Sequence, residues 1–275
     1  MKLPETTLIK NIDDLFCSFA GRSLALRTVT RYSIFKVMYY RSNLLTHSKR
    51  VLWIIQQILP LIETTFTSSV DTTKLQLLAL VHDDPEIITG DFQAGNKAKM
   101  SNQELAKIVA IEKRAIEELA VRFPFSLLGY PYKNLLTESA EVSSQESKIL
   151  KYADRFDAFG EALHEIFAGN RTFITPVTNE YGTIDLPTQF YPRYFNEFKI
   201  KNPEFHALFS KNHHHPFFNP IEPDNLETLV SSGHPHSPTS IIRATFYQPY
   251  NFWKETILQS EDHEEIENLY TQKEA

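Results

Sequence analysis

The sequence predicts an all-α protein, a helical bundle followed by an irregular, aromatic- and proline-rich C-terminal extension. Three observations carry this. From about residue 8 to residue 170, apolar side chains recur three and four positions apart, the period of an amphipathic helix. Glycine, which weakens helices, is scarce: 8 in 275 residues. Ser101-Asn102-Gln103-Glu104 has the pattern of a capping box, a serine N-cap answered by a glutamate three residues on.

In chain order, helices are expected over residues 8–20, 46–65, 72–83, 102–123 and 145–168. Asp84-Pro85-Glu86 reads as a helix break and restart, with Asp84 as cap and Pro85 at the first helical position. Gly90 then supplies the turn that stops this short helix. Beyond Gly169-Asn170 the composition shifts: prolines recur from Pro176 to Pro249 among aromatics and histidines, and only residues 225–231 and 252–270 keep a helical pattern. Residues 1–172 are therefore expected to form a helical domain, and residues 173–275 an extension packing on it.

The net charge of −6 gives no basic footprint for duplex nucleic acid or an anionic membrane, which removes both as partners. A single cysteine, Cys17, rules out an intrachain disulfide and fits a cytoplasmic protein. The first residues lack the apolar core of a signal peptide, and no run approaches the roughly 18 apolar residues of a spanning helix. The expected setting is the cytoplasm, the expected partner a small molecule, and a homodimer is compatible with the sequence.

The chemistry concentrates at His82-Asp83, where the apolar run Leu75-Gln76-Leu77-Leu78-Ala79-Leu80-Val81 meets a turn-rich stretch. Adjacent His and Asp can present an imidazole nitrogen and a carboxylate oxygen to one divalent cation, but two ligands do not close a site. Two further candidates lie on other amphipathic segments. His47 shares a helix face with Val51, Ile54, Ile55 and Ile58, and Asp154 has Leu150 and Ala158 one turn away on either side. Two imidazoles and two carboxylates suit one divalent ion such as Mn²⁺, Co²⁺, Fe²⁺, Zn²⁺ or Mg²⁺. Such an ion would acidify a water and polarise a phosphoryl oxygen. Taken alone, a His-Asp dipeptide is common by chance, and His47 alone would read as a hydrogen-bonded helix histidine.

Glu86, one turn past His82, is a candidate acid or base, or simply a carboxylate favoured at a helix start. Asp91 could accept from a sugar hydroxyl, or be an ordinary turn residue. The run His82-Asp83-Asp84-Pro85-Glu86-Ile87-Ile88-Thr89-Gly90-Asp91 resembles, without a gap, the motif of the HD-domain 5′-deoxynucleotidase (YfbR-like) family. Ala110-Ile111-Glu112-Lys113, and the helix from Glu146 through Lys148 and Lys151 to Asp154, are similar too, so the resemblance spans roughly residues 28–170.

That resemblance implies an HD-type bundle with His47, His82, Asp83 and Asp154 as metal ligands and Glu86 as catalytic acid or base. It implies substrate contacts from Arg31 and Tyr32, where the family has Arg-Trp, with Arg31 on the phosphate and Tyr32 against the sugar 2′ position. Arg31 also reads as a plain surface cation, since the loop to His47 is one residue longer than the family pattern. Thr46 stands where the family has Glu, and Phe92-Gln93-Ala94-Gly95-Asn96 replaces a proline-containing strip.

The function implied is metal-dependent release of phosphate from a small nucleotide, a (deoxy)nucleoside 5′-monophosphate. Two alternatives stay open: hydrolysis of another phosphorylated nucleotide (cyclic, polyphosphate or alarmone), and a non-catalytic metal-nucleotide sensor or assembly protein. In the extension, His213-His214-His215 and Gly233-His234-Pro235-His236 read as polar loops. Phe246, Tyr247, Tyr250, Phe252 and Trp253 read as a base-stacking platform or as packing.

Overall fold

The structure is a computed structural model that describes residues 8–32, 35, 38, 41–66, 70–92, 94–167, 170–221 and 247–259. The expected helix at 225–231, residues 260–270 of the helix expected at 252–270, the residues Phe246 and Gln93 and the segment 233–236 lie outside the described residues. Among those described, the chain is helical apart from two short antiparallel hairpins, and no helix is long and apolar enough to cross a membrane.

Contacts divide the chain into two compact units, residues 1–33 with 42–153, and residues 34–41 with 154–275. The first contains α1 (Ile12–Leu15), α2 (Arg22–Thr28), α3 (Leu44–Phe66), α4 (Thr72–Val81), α5 (Glu86–Thr89), α6 (Ala94–Lys97), α7 (Asn102–Arg122), the β1–β2 hairpin (Ser126–Leu127 and Tyr130–Pro131) and α8 (Tyr132–Glu141). Helix α9 (Gln145–Phe167) runs from this unit into the next.

In the first unit α3 packs on α4, α4 on α8, α7 on α8, and α2 on α3 and α5. Val51, Ile54, Ile55, Ile58 and Ile62 of α3 are all wholly buried, the stripe that the spacing around His47 predicts. Helix α4 is buried on every face from Leu75 to Val81. Its one polar residue there, Gln76, accepts from the backbone of Ile9 at 2.9 Å and from Gln56 at 3.0 Å, and its Nε2 donates to Thr72 O at 3.2 Å, so this buried amide is matched. The capping box at α7 forms as expected: Ser101 accepts from Glu104 N, and Glu104 accepts from Ser101 N.

The second unit holds the later part of α9, the β3–β4 hairpin (Val177–Asn179 and Gly182–Ile184), α10 (Pro187–Lys201), α11 (His206–Lys211) and α12 (Gln248–Leu258). Its core is aromatic, with Phe156, Phe159, Phe195, Phe205, Phe217 and Trp253 all at most 2% exposed. Helix α12 lies on α9: Trp253 Nε1 donates to Asp157 at 2.9 Å, and the Tyr250 hydroxyl meets His164 Nδ1 at 3.1 Å. Tyr247, Tyr250 and Trp253 are buried, so they are packing side chains and not an open stacking platform.

Four local expectations are corrected. Of the helix expected over 8–20 only α1 forms; turns follow it and end at Gly21, whose φ of 78° is a glycine conformation, and α2 starts after them. Helix α8 was not anticipated. The stretch expected to be irregular contains α10, fifteen residues long, with Pro187 at its start, where the missing N–H costs nothing. Asp84 is no helix cap: α5 begins after Pro85, and Asp84 is fully buried in an ion pair with Arg22.

Candidate metal centre

His47 lies on the buried face of α3, and His82 follows the last residue of α4. The end of α4 orients His82. Its ring Nδ1 sits 2.9 Å from the carbonyl oxygen of Ala79, one of the carbonyls a helix end leaves without an internal partner. With Nδ1 donating there, the lone pair of Nε2 points away from the helix. This backbone anchoring is typical of metal-ligating histidines.

That Nε2 lies 3.3 Å from His47 Nε2 and 3.3 Å from Asp83 Oδ1, and Asp83 Oδ2 lies 3.4 Å from His47 Nε2. Non-bonded N and O atoms at such spacings are what neighbours around a small cation, each about 2.0–2.2 Å from it, would show. His47, His82 and Asp154 each also offer one ligand atom, all within 4.8 Å of one another. His47, His82 and Asp83 thus lie together in the first unit, and the donor set of His47, His82 and Asp154 is one that could hold a metal ion.

Acidic charge gathers beside these donors. Burial pushes the Glu86 carboxyl well above its ordinary range, and Asp83 and Asp91 push the same way, while Arg31 and Lys97 oppose. Asp91 is raised by burial, with Arg31 pulling it down and Asp83 pushing it up. Carboxylates that raise one another's pKa values in this way are electrostatically strained, and a cation among them relieves the strain.

Arg31 is 8% exposed, so it is not a surface cation; its Nη1 donates to His47 Nδ1 at 2.7 Å. Tyr32 is buried and takes up φ 56°, an uncommon conformation for a bulky residue, with its backbone N–H donated to Asp91. Thr46 helps start α3: its backbone N–H donates to the Asn43 side chain at 3.0 Å.

Sequence reasoning missed Lys97, which pairs with Glu112 at 2.7 Å and whose charge reaches Glu86. It also missed Arg22 and Tyr132, whose contacts span 62 and 48 positions and leave no local pattern. The triple histidine is not a second centre: His213 and His214 are exposed in a turn, and His215 Nδ1 accepts from Phe217 N.

An all-helical chain that brings a histidine, a His-Asp pair and a later aspartate together defines the class of HD-type metal-dependent hydrolases. The YfbR-like 5′-deoxynucleotidase family matches residues 18–202, and the chain belongs to that family. The match runs about thirty residues further toward the C-terminus than the motifs alone reach.

The 5′-deoxynucleotidase YfbR of Escherichia coli strain K12 is 30% identical over 165 residues, 60% of this chain and 80% of that protein. The YfbR protein of Shigella boydii serotype 18 is 28% identical over 182 residues, 66% of this chain and 88% of that protein. A solved structure of a conserved hypothetical protein from Pyrococcus furiosus overlays with a TM-score of 0.45 at 16% identity, covering 70% of this chain and 92% of that one.

Proposed function

We propose that the protein is a divalent-metal-dependent phosphohydrolase that releases phosphate from deoxynucleoside 5′-monophosphates. His47, His82, Asp83 and Asp154 would hold the ion and Glu86 would handle the proton. The observation that carries this reading is the convergence of the ring nitrogens of His47 and His82 with the Asp83 carboxylate at 3.3–3.4 Å, beside a carboxyl that burial keeps ready to hold a proton. The names of the YfbR relatives support the substrate class.

A divalent cation bound there would supply the charge that polarises a phosphoryl oxygen and makes a water acidic. The chain's own residues do the rest. Glu86 takes a proton from the attacking water and returns one to the departing 5′-oxygen. Arg31 provides the planar, charged donor set that suits a phosphate. His47 orients its ligand nitrogen best with the proton on Nδ1; it then no longer accepts from Arg31, and the guanidinium turns to the substrate. Tyr32 lies against the sugar 2′ position, and Asp91 fixes Tyr32 or takes a sugar hydroxyl.

Under this reading residues 1–172 form the catalytic domain and residues 173–275 an extension. The protein works in the cytoplasm on free nucleotides, alone or as a homodimer.

The test is phosphate release over a panel of deoxy- and ribonucleoside mono-, di- and triphosphates with Mn²⁺, Co²⁺, Mg²⁺ and Zn²⁺. Metal-dependent release confined to 5′-monophosphates is the expected result. Release from polyphosphorylated or cyclic substrates alone would replace the substrate class. Tight nucleotide binding without turnover under every metal would replace the enzyme with a sensor.

A further inference from the structure

We infer that Arg22, Asp84 and Tyr132 form a positioning lock that sets the His82-Asp83 turn and Glu86 for cation binding and proton transfer. The inference rests on the metal reading above and goes beyond it, because none of the three touches the ion or the substrate.

Consider first how α4 ends. Its last four carbonyls, Leu78 to Val81, need partners beyond the helix. Leu78 O takes the backbone N–H of His82 at 3.0 Å, and Ala79 O faces the His82 ring at 2.9 Å. Leu80 O takes Arg22 Nη2 at 2.5 Å, and Val81 O takes the backbone N–H of Asp84 at 3.0 Å. Two of these four bonds thus come from His82 and two from the lock. The ring that presents Nε2 to the site and the guanidinium of Arg22 are held by adjacent carbonyls of one turn.

Asp84 is the next residue after Asp83, and its side chain goes to the interior while Asp83 joins the histidines. Its carboxylate accepts Arg22 Nε at 2.7 Å and Arg22 Nη2 at 2.6 Å, a two-point grip, and the Tyr132 hydroxyl at 2.6 Å. All three residues are at most 1% exposed. Arg22 lies over the Phe16 ring at 3.8 Å, and Tyr132 meets Phe19 edge-on at 5.1 Å. Burial and the neighbouring Asp84 push the Tyr132 hydroxyl far above its ordinary range, so it remains a donor.

The same turn continues into Glu86, whose N–H donates to Asp83 O at 3.0 Å, while Ile87 N donates to Asp84 O at 3.0 Å. An anchored Asp84 therefore sits between the candidate ligands on one side and the candidate acid or base on the other.

Energetics favour positioning over simple stability. Desolvating a carboxylate and a guanidinium this completely offsets most of what their attraction returns, and apolar replacements of similar volume can be as stable. What an ion pair with two-point geometry supplies, and an apolar contact does not, is a fixed direction for the turn.

The test uses the full-length protein and its variants Tyr132→Phe, Asp84→Asn and Arg22→Lys. It combines Mn²⁺ binding by electron paramagnetic resonance, kcat and KM on a deoxynucleoside monophosphate, and thermal melting. Tyr132→Phe deletes one hydroxyl without changing volume, so it decides the matter if the other two fail to fold. The expected result is a folded variant whose Mn²⁺ Kd rises about tenfold and whose kcat falls by a similar factor, the size seen when a supporting contact around a metal site is lost. Arg22→Lys should not rescue, because an ammonium cannot make the two-point contact.

Variants that melt earlier but bind Mn²⁺ with the parent Kd would overturn the lock and leave the metal reading intact. A parent protein that binds no Mn²⁺ at the histidines would overturn both.

Discussion

Asp91 accepts the backbone N–H of Tyr32 at 3.2 Å across 59 positions of sequence, and Tyr32 adopts φ 56°. A side chain as bulky as tyrosine holds a left-handed backbone at a cost of about 1–3 kcal/mol, and it persists where its surroundings fix it. Asp91 can be placed to do so because Gly90, at φ 74°, lets the chain turn sharply after α5. Asp91→Ala should release Tyr32, lower stability by about 1 kcal/mol and raise the KM for nucleotide. Asp91→Asn keeps an acceptor and should fall between. Equal KM values for parent and Asp91→Ala would remove Asp91 from substrate binding in either role.

Tyr32 also bears on sugar selection. The family pattern has a tryptophan at its position, and under the proposed reading tyrosine would present a smaller ring to the sugar 2′ position. Tyr32→Trp should increase the ratio of kcat/KM for a deoxynucleotide over the matching ribonucleotide, because a larger ring adds repulsion against a 2′ hydroxyl. Paired kinetics on the two sugars check it; an unchanged ratio would place the discrimination elsewhere.

Much of the fold was legible because its long helices carry strong local signals. Helices α3, α7 and α9 fall within two residues of expectation at each end, helped by the stripe around His47 and the box at Ser101. Where the reading failed, the determinants were either weak or distant. Helix α8 has few apolar residues, and its buried Tyr132, Leu135 and Leu136 are not a pattern that stands out in ten positions. The prolines of α10 mask a helix: Pro187 opens it, where proline is favoured, while Pro192 lies inside it, where proline ordinarily breaks a helix. Asp84 looked like a cap because Asp-Pro usually is one, and its true partner, Arg22, lies 62 positions upstream. The candidate ligands could be singled out because His82-Asp83 heads a contiguous motif and His47 and Asp154 sit on helices with strong local patterns. The buried ion pair behind them is not.

Glu86 carries two linked expectations. If it moves the proton, Glu86→Gln should keep metal affinity and cut turnover by roughly 10²-fold or more. The second concerns stability of the metal-free protein. Burial first, then Asp83 and Asp91, raise its carboxyl above the ordinary 4.5. Part of the side chain still meets solvent, so water tempers the size of the effect but not its sign. A folded-state value above the unfolded one means that the folded chain binds this proton more tightly, so stability falls as pH climbs past 4.5. In chelator, Glu86→Gln should therefore melt above the parent near pH 7, and the gap should close in acid. A parent that melts higher at neutral pH would reverse the assigned environment of Glu86.

Metal addition should register as stability. An ion that binds only the folded chain stabilises it by about 2.7 kcal/mol at a free concentration one hundred times Kd. Mn²⁺ added to chelator-treated protein should raise Tm accordingly, and Asp83→Ala should lose most of the gain. Calorimetric scans with matched ion concentrations distinguish the cases; an equal shift in parent and Asp83→Ala would locate the ion away from the histidines.

Gly160 and Trp253 set the sign of the last prediction. In the middle of a helix, Gly→Ala ordinarily stabilises by roughly 1 kcal/mol, since glycine loses more backbone freedom on folding. At residue 160 the added methyl would land inside the indole of Trp253, well within van der Waals contact. Trp253 is 1% exposed, and its Nε1 is tied to Asp157 at 2.9 Å, so the ring cannot swing aside without breaking that bond. Overpacking of this kind costs about 1–3 kcal/mol, enough to reverse the helix preference. Gly160→Ala should therefore lower Tm by several degrees. Trp253→Leu vacates the space, and in that background Gly160→Ala should be neutral or stabilising, leaving a non-additive cycle. Thermal melts of the four proteins measure the coupling. Additive effects, or a higher Tm for Gly160→Ala alone, would mean that α12 does not pack against α9 through this tryptophan.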